Sequence, residues 1–74
     1  MSKPHQFEGI ILVDTNRSVL FHCWYWDKPD WMPKSQSQIV RDPDSAFEVT
    51  LIATDWIARQ KGITEEQLYG SQNP

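Results

Sequence analysis

Residues 7–26 read FEGIILVDTNRSVLFHCWYW. Two runs rich in β-branched and aromatic residues flank the polar group Asp14, Thr15, Asn16 and Arg17, and Asn16 tolerates the left-handed backbone that a tight reversal needs. An antiparallel hairpin is the economical reading. Along the second run, strict alternation places Val19, Phe21, Cys23 and Tyr25 on one side, and Leu20, His22, Trp24 and Trp26 on the other. Both faces then carry bulky apolar groups. A small two-layer domain covers one face of its sheet with a helix and turns the other to water. One face is therefore oversupplied: either the sheet curls towards a barrel, or part of the indole surface is left for a partner.

Working outward, Pro29 and Pro33 in DKPDWMP lack the N–H that a ladder requires, so this segment is expected to leave strand geometry. SQSQIVR and AFEVTLI flank DPDS, a good type I turn with Pro43 at its second position. They form a second predicted hairpin, with Phe47, Val49 and Leu51 inward and Glu48 and Thr50 towards solvent. In TDWIARQKG, Thr54 is a suitable N-cap, Asp55 suits the positive helix end, and Gly62 follows Arg59 and Lys61 at the other. A helix from Asp55 to Lys61 is too short to stand alone, and the reading packs it on the sheet through Trp56, Ile57 and Ile63. Thr64 and Gln67 have capping-box spacing, and Gly70 offers a further stop, which predicts a short terminal turn. The polar ends MSKPHQ and SQNP are expected to fray, leaving an ordered core over about residues 7–69 of one domain spanning 1–74. The fold class is α+β: a small antiparallel sheet of about four strands in two hairpins, with room to curl or become barrel-like, and one short C-terminal helix packed on it.

A chain of 74 residues buries only about 60% of the surface its unfolded form exposes, so its stability is modest. Cys23 is the single cysteine and has no intramolecular partner, which fits a reducing compartment. No series of the signal-peptide kind opens the chain, and its longest apolar run, Ile10 to Val13, is far too short to cross a bilayer. A cytoplasmic protein without a membrane partner is expected. Seven Lys and Arg against ten Asp and Glu give a net charge of -3, which opposes non-specific attraction to phosphates.

Catalytic readings find little support. His22 and Cys23 are adjacent on a strand and so point to opposite faces, which defeats a nucleophile and base pair. His5, Asp14, His22 and Cys23 lack the paired close spacing of a zinc site, Asp27 and Asp30 are natural turn formers, and the three glycines are too scattered for a phosphate loop. The chain reads as non-enzymatic, with neither cofactor nor metal.

WMPKSQ, the strand ending CWYW, and DWIARQKGI together resemble a group of short proteins encoded in phage and prophage genomes. In that group a tryptophan, an apolar residue and PKSQ begin a strand, and a segment like EWLAKEKGL closes the domain. The likeness spans Ile10 to Ile63 and is carried by Trp31, Pro33, Lys34, Ser35, Gln36, Trp56, Ile57, Ala58, Lys61 and Gly62. This chain departs from the group by repeating SerGln after Pro33, and by placing Thr54 where proline usually precedes the helix. The resemblance implies a phage- or prophage-encoded domain of this fold, without implying an activity.

Three of the four tryptophans fall within residues 24–31. The expected split assigns Phe21 and Tyr25 to the core, and Trp24, Trp26 and Trp31 to a surface patch with Lys28, Lys34, Gln36 and Arg41 around it. Lys34 can reach a phosphate or carboxylate, and Gln36 both donates and accepts. Two partners suit such a patch. A protein partner, including host or phage nucleic-acid machinery, would take the indoles as buried anchors. Single-stranded nucleic acid would stack on them, with Lys28, Lys34 and Arg41 on its backbone. The acidic balance favours protein, and Asp27, Asp30, Asp42, Asp44 and Glu48 suit the basic cleft of an enzyme. An excess apolar face or a sheet edge also leaves homo-oligomers open.

Overall fold

A computed structural model describes residues 3–64. Its elements run β1 (His5–Asp14), β2 (Ser18–Cys23), β3 (Asp30–Pro33), a 3-10 turn (Lys34–Gln36), β4 (Ser37–Arg41), β5 (Glu48–Ala53) and α1 (Asp55–Lys61). All strand pairs are antiparallel, in the spatial order β3-β2-β1-β5-β4. The sheet is open, and it has five strands where the sequence suggested about four.

The extra strand is β3. Pro33 is tolerated because it lies on an edge strand, where a missing N–H breaks no ladder. The hairpin of β1 and β2 forms as expected. Its reversal is fastened by Thr15, whose hydroxyl accepts from the Ser18 N–H at 3.1 Å and donates to the Ser18 carbonyl at 2.8 Å. Register slips by one residue between Ile11 and Val13, leaving Leu12 as a bulge. β1 begins at His5, paired with Ala53, so order starts earlier than the polar N-terminal residues suggested.

One face of the sheet carries Phe7, Val19, Phe21, Cys23, Met32, Val49, Leu51 and Ala53, and α1 adds Ile57 and Ala58 to the same buried cluster, followed by Ile63. The helix bounds match expectation because they are set by local chemistry. Thr54 Oγ1 accepts from the Ile57 N–H at 3.3 Å, and Gly62 takes the left-handed conformation at φ 70°. Three further contacts hold the helix. Asp55 accepts from His5 Nε2 at 2.7 Å and from Arg59 Nε at 2.7 Å, while the Gln36 side chain accepts from the Thr54 hydroxyl at 2.7 Å.

Four packing expectations are overturned. Trp56 is 60% exposed, because this helix turns Ile57 and Ala58 to the sheet instead. Phe47 is also exposed, since β5 starts only at Glu48 and Phe47 sits in the connection, its N–H held by Ser45 Oγ. Tyr25 is exposed rather than core, and Trp26 is buried rather than surface. The last two share one cause. β2 stops at Cys23, and the Trp26 N–H returns to the Cys23 carbonyl at 3.0 Å, so alternation no longer governs the residues beyond. Trp26 folds onto the core between Phe7 and Phe21, with ring centroids 5.3 and 5.5 Å away. The terminal turn predicted around Gln67 and Gly70 lies outside the described residues.

Candidate functional site

Residues paired directly across antiparallel strands share a face. Val13 pairs with Leu20, and Leu20 with Trp31, so these three form a row across β1, β2 and β3. Their strand neighbours Val19, Phe21 and Met32 are in the core, which puts the row on the face opposite α1. Val13 and Trp31 are each 43% exposed, Leu20 and Ile10 are half-buried, and the bulged Leu12 is exposed beside them. The bulge creates this patch. Without the slip, Val13 would stand in phase with Phe7 and Gly9 on the helix side, and the row would lose its third member.

The residues expected to form one site are divided among four places. Trp24 and Trp31 are exposed on the surface, and Lys28 is exposed in the connection between β2 and β3. Trp24 follows the end of β2, its N–H donating to the Glu8 carbonyl at 3.1 Å. Four residues of chain, at most about 14 Å, separate it from Leu20. Trp26 belongs to the core, as above. Lys34 and Gln36 serve the fold: Lys34 Nζ donates to Asp14 at 2.6 Å, its N–H to the Arg17 carbonyl at 2.8 Å, and Gln36 grips Thr54. The PKSQ segment is thus a clasp joining the first hairpin to the start of α1. Arg41 lies on β4, four strand spacings or about 19 Å from β3. It lines a shallow groove of about 290 Å³ with Glu8, Asp42 and Glu48, where carboxylates outnumber cations.

His22 and Cys23 do point apart. His22 Nε2 donates to the Trp26 carbonyl at 3.0 Å, whereas Cys23 is 1% exposed in the core. Burial pushes the Cys23 thiol up from its usual range, so little thiolate forms at neutral pH. An aromatic disulfide reagent should accordingly label the folded protein at least tenfold more slowly than the denatured chain. Equal rates would place Cys23 at the surface.

Among the described residues, no three His, Cys, Asp or Glu side chains gather as a metal-binding group, and no helix is long and apolar enough to cross a membrane. Comparison with models of protein families, with curated proteins and with solved structures finds no match. Sequence reasoning placed Trp31 in the candidate site but missed Val13, Leu20 and Leu12. The signal was available in the run Ile10 to Val13, since four consecutive apolar residues cannot all face one core.

Proposed function

We propose that the protein is a non-enzymatic binding module that seats a protein partner on the sheet face opposite α1. Trp31 is its anchor, Val13, Leu20 and Leu12 its apolar surround, and Trp24, exposed just past the end of β2, a second contact. The observation that carries this reading is the Val13–Leu20–Trp31 row: a half-exposed indole flanked by aliphatic side chains on a rigid sheet. Binding interfaces concentrate their energy in such aromatic anchors. A rigid sheet also spares the ordering cost that a loop would incur on binding. If phage- or prophage-encoded, as the resemblance implies, such a module would act in the host cytoplasm, and its partner would be a host or phage enzyme that it modifies or inhibits. The acidic groove beside Arg41 suits a partner with basic residues flanking an apolar centre.

The geometry speaks less for single-stranded nucleic acid. Stacking platforms work with cations along the backbone path. Here Lys34 is paired with Asp14, and Arg41 lies across the sheet from Trp31.

The test compares proteins retained from a native-host lysate by the immobilised parent chain with those retained by Leu20→Glu and Trp31→Ala. A specific partner should lose at least tenfold in affinity for both variants, with both still folded. Retention unchanged by either substitution would overturn the reading. So would submicromolar binding of a single-stranded oligonucleotide at physiological salt, abolished by Lys28→Ala.

A further inference from the structure

The two edges of the sheet differ in what they offer another strand. On β3, the Lys34 N–H donates to the Arg17 carbonyl, which makes Lys34 and Arg17 a hydrogen-bonded pair. Antiparallel ladders alternate, so Met32 and Asp30 bond inward to β2, while Trp31 and Pro33 turn their backbone groups outward. Neither has a donor to give. The Trp31 N–H is held by the Asp30 carboxylate at 2.8 Å, and Pro33 has no N–H. Prolines and short strands are among the devices that protect sheet edges from unwanted pairing.

β4 is less protected. The Thr54 N–H donates to the Gln36 carbonyl at 2.9 Å and the Asp42 N–H to the Glu48 carbonyl at 3.2 Å, so the even-numbered residues of this strand bond inward to β5. Ser37, Ile39 and Arg41 therefore face the open edge. The Ser37 N–H is taken by the Lys34 carbonyl, but the N–H and carbonyl groups of Ile39 and Arg41 have no strand beside them among the described residues. The strand SQIVR contains neither proline nor lysine, and it has no bulge against β5.

We propose that β4 pairs antiparallel with β4 of a second copy of this chain, continuing the sheet across a two-fold axis at Ile39. The strand is self-complementary in this register. Ile39 exchanges both hydrogen bonds with its own counterpart, and each Arg41 N–H donates to the Ser37 carbonyl of the other copy. The reciprocal bond of each Arg41–Ser37 pair is not made, because the Ser37 N–H is already held by the Lys34 carbonyl, so the joint rests on four hydrogen bonds. Side chains agree too. Half-buried Ile39 meets its counterpart on the helix side, where it already packs against the core, and Val40 meets Gln38 on the other face. Arg41 lies opposite Ser37 and not opposite another Arg41, so no like charges face each other directly. The pairing is isologous and closes as a dimer, because each copy's other edge, β3, offers no donors. It leaves the anchor row of the proposed partner face free, since Trp31 would lie at the two far ends of the joined sheet, whereas the groove beside Arg41 adjoins the joint.

Sedimentation equilibrium on the full chain up to about 1 mM, with amide exchange followed residue by residue, tests this. The parent should approach twice the monomer mass, and exchange at Ile39 and Arg41 should slow at least tenfold as concentration rises, while Trp31 is unaffected. Arg41→Pro removes an outward N–H without touching the bonds to β5, so it should shift the mass to monomer while Trp31→Ala leaves the dimer intact. A monomer at every concentration would overturn the pairing, as would a dimer in which Ile39 and Arg41 exchange as fast as in dilute protein. Should Arg41→Pro fail to fold, amide exchange in the parent decides the matter alone.

Discussion

Replacing Trp26 with alanine is expected to cost about 3 to 5 kcal/mol, the range for deleting a large aromatic side chain from a core. Trp26 is 9% exposed and packs on Phe7 and Phe21. Native domains hold only about 5 to 15 kcal/mol in total, and one of this size sits towards the low end, so the variant should be largely unfolded or nearly so. Trp26→Phe should lose distinctly less. It keeps a ring in the same place and removes an indole N–H that is buried without a hydrogen-bond partner. Trp24→Ala and Trp56→Ala remove side chains that are more than half exposed, and each should change stability by no more than about 0.5 kcal/mol. Urea denaturation of the four variants checks the whole pattern. Equal losses at positions 24, 26 and 56 would mean that the tryptophans are not divided between core and surface.

The second large effect is expected at Gly9. Glycine to alanine usually stabilises a protein by about 0.4 to 1 kcal/mol where the backbone permits it, by restricting the unfolded chain. Here the sign should reverse. A Cβ at Gly9 would lie 2.8 Å from Cys23 Cα and closer still to the His22 carbonyl oxygen, so the β1–β2 backbones would have to part. Such overpacking costs about 1 to 3 kcal/mol, and more where backbone must move in a central strand. The midpoint of urea unfolding for Gly9→Ala should fall well below that of the parent. A midpoint at or above the parent's would show that β1 and β2 are not in this register.

Features governed by neighbours in sequence were legible, and those governed by distant packing were not. α1 was placed from Thr54, Asp55 and Gly62 because caps act within a turn or two of the chain. The first hairpin was visible because Asp14 to Arg17 is a local turn signal. By contrast, the inward side of α1 depends on how the helix sits over β1, β2 and β5, and bulk at Trp56 gave the wrong answer. DKPDWMP reads as a loop because prolines break strands in general; the exception comes from the position of β3 at an edge, which only the topology shows. The Trp26 reversal and the Leu12 bulge each break an alternation that sequence reading extends by default. The same two departures decide the candidate site, since one removes Trp26 from it and the other adds Val13. Lys34 and Gln36 were drawn towards function by their chemistry, whereas their partners Asp14 and Thr54 lie about twenty residues away in sequence.

The division of the tryptophans into one core ring and three surface rings underlies both the stability of the fold and the proposed partner face. Solvent exchange of the four indole N–H groups, resolved by nuclear magnetic resonance of the folded chain, tests it directly. One indole, assigned to Trp26, should exchange orders of magnitude more slowly than those of Trp24, Trp31 and Trp56, because its nitrogen is shut off from water. Rapid exchange at Trp26, or protection of Trp24 and Trp31 to the same degree in the monomeric protein, would contradict the account.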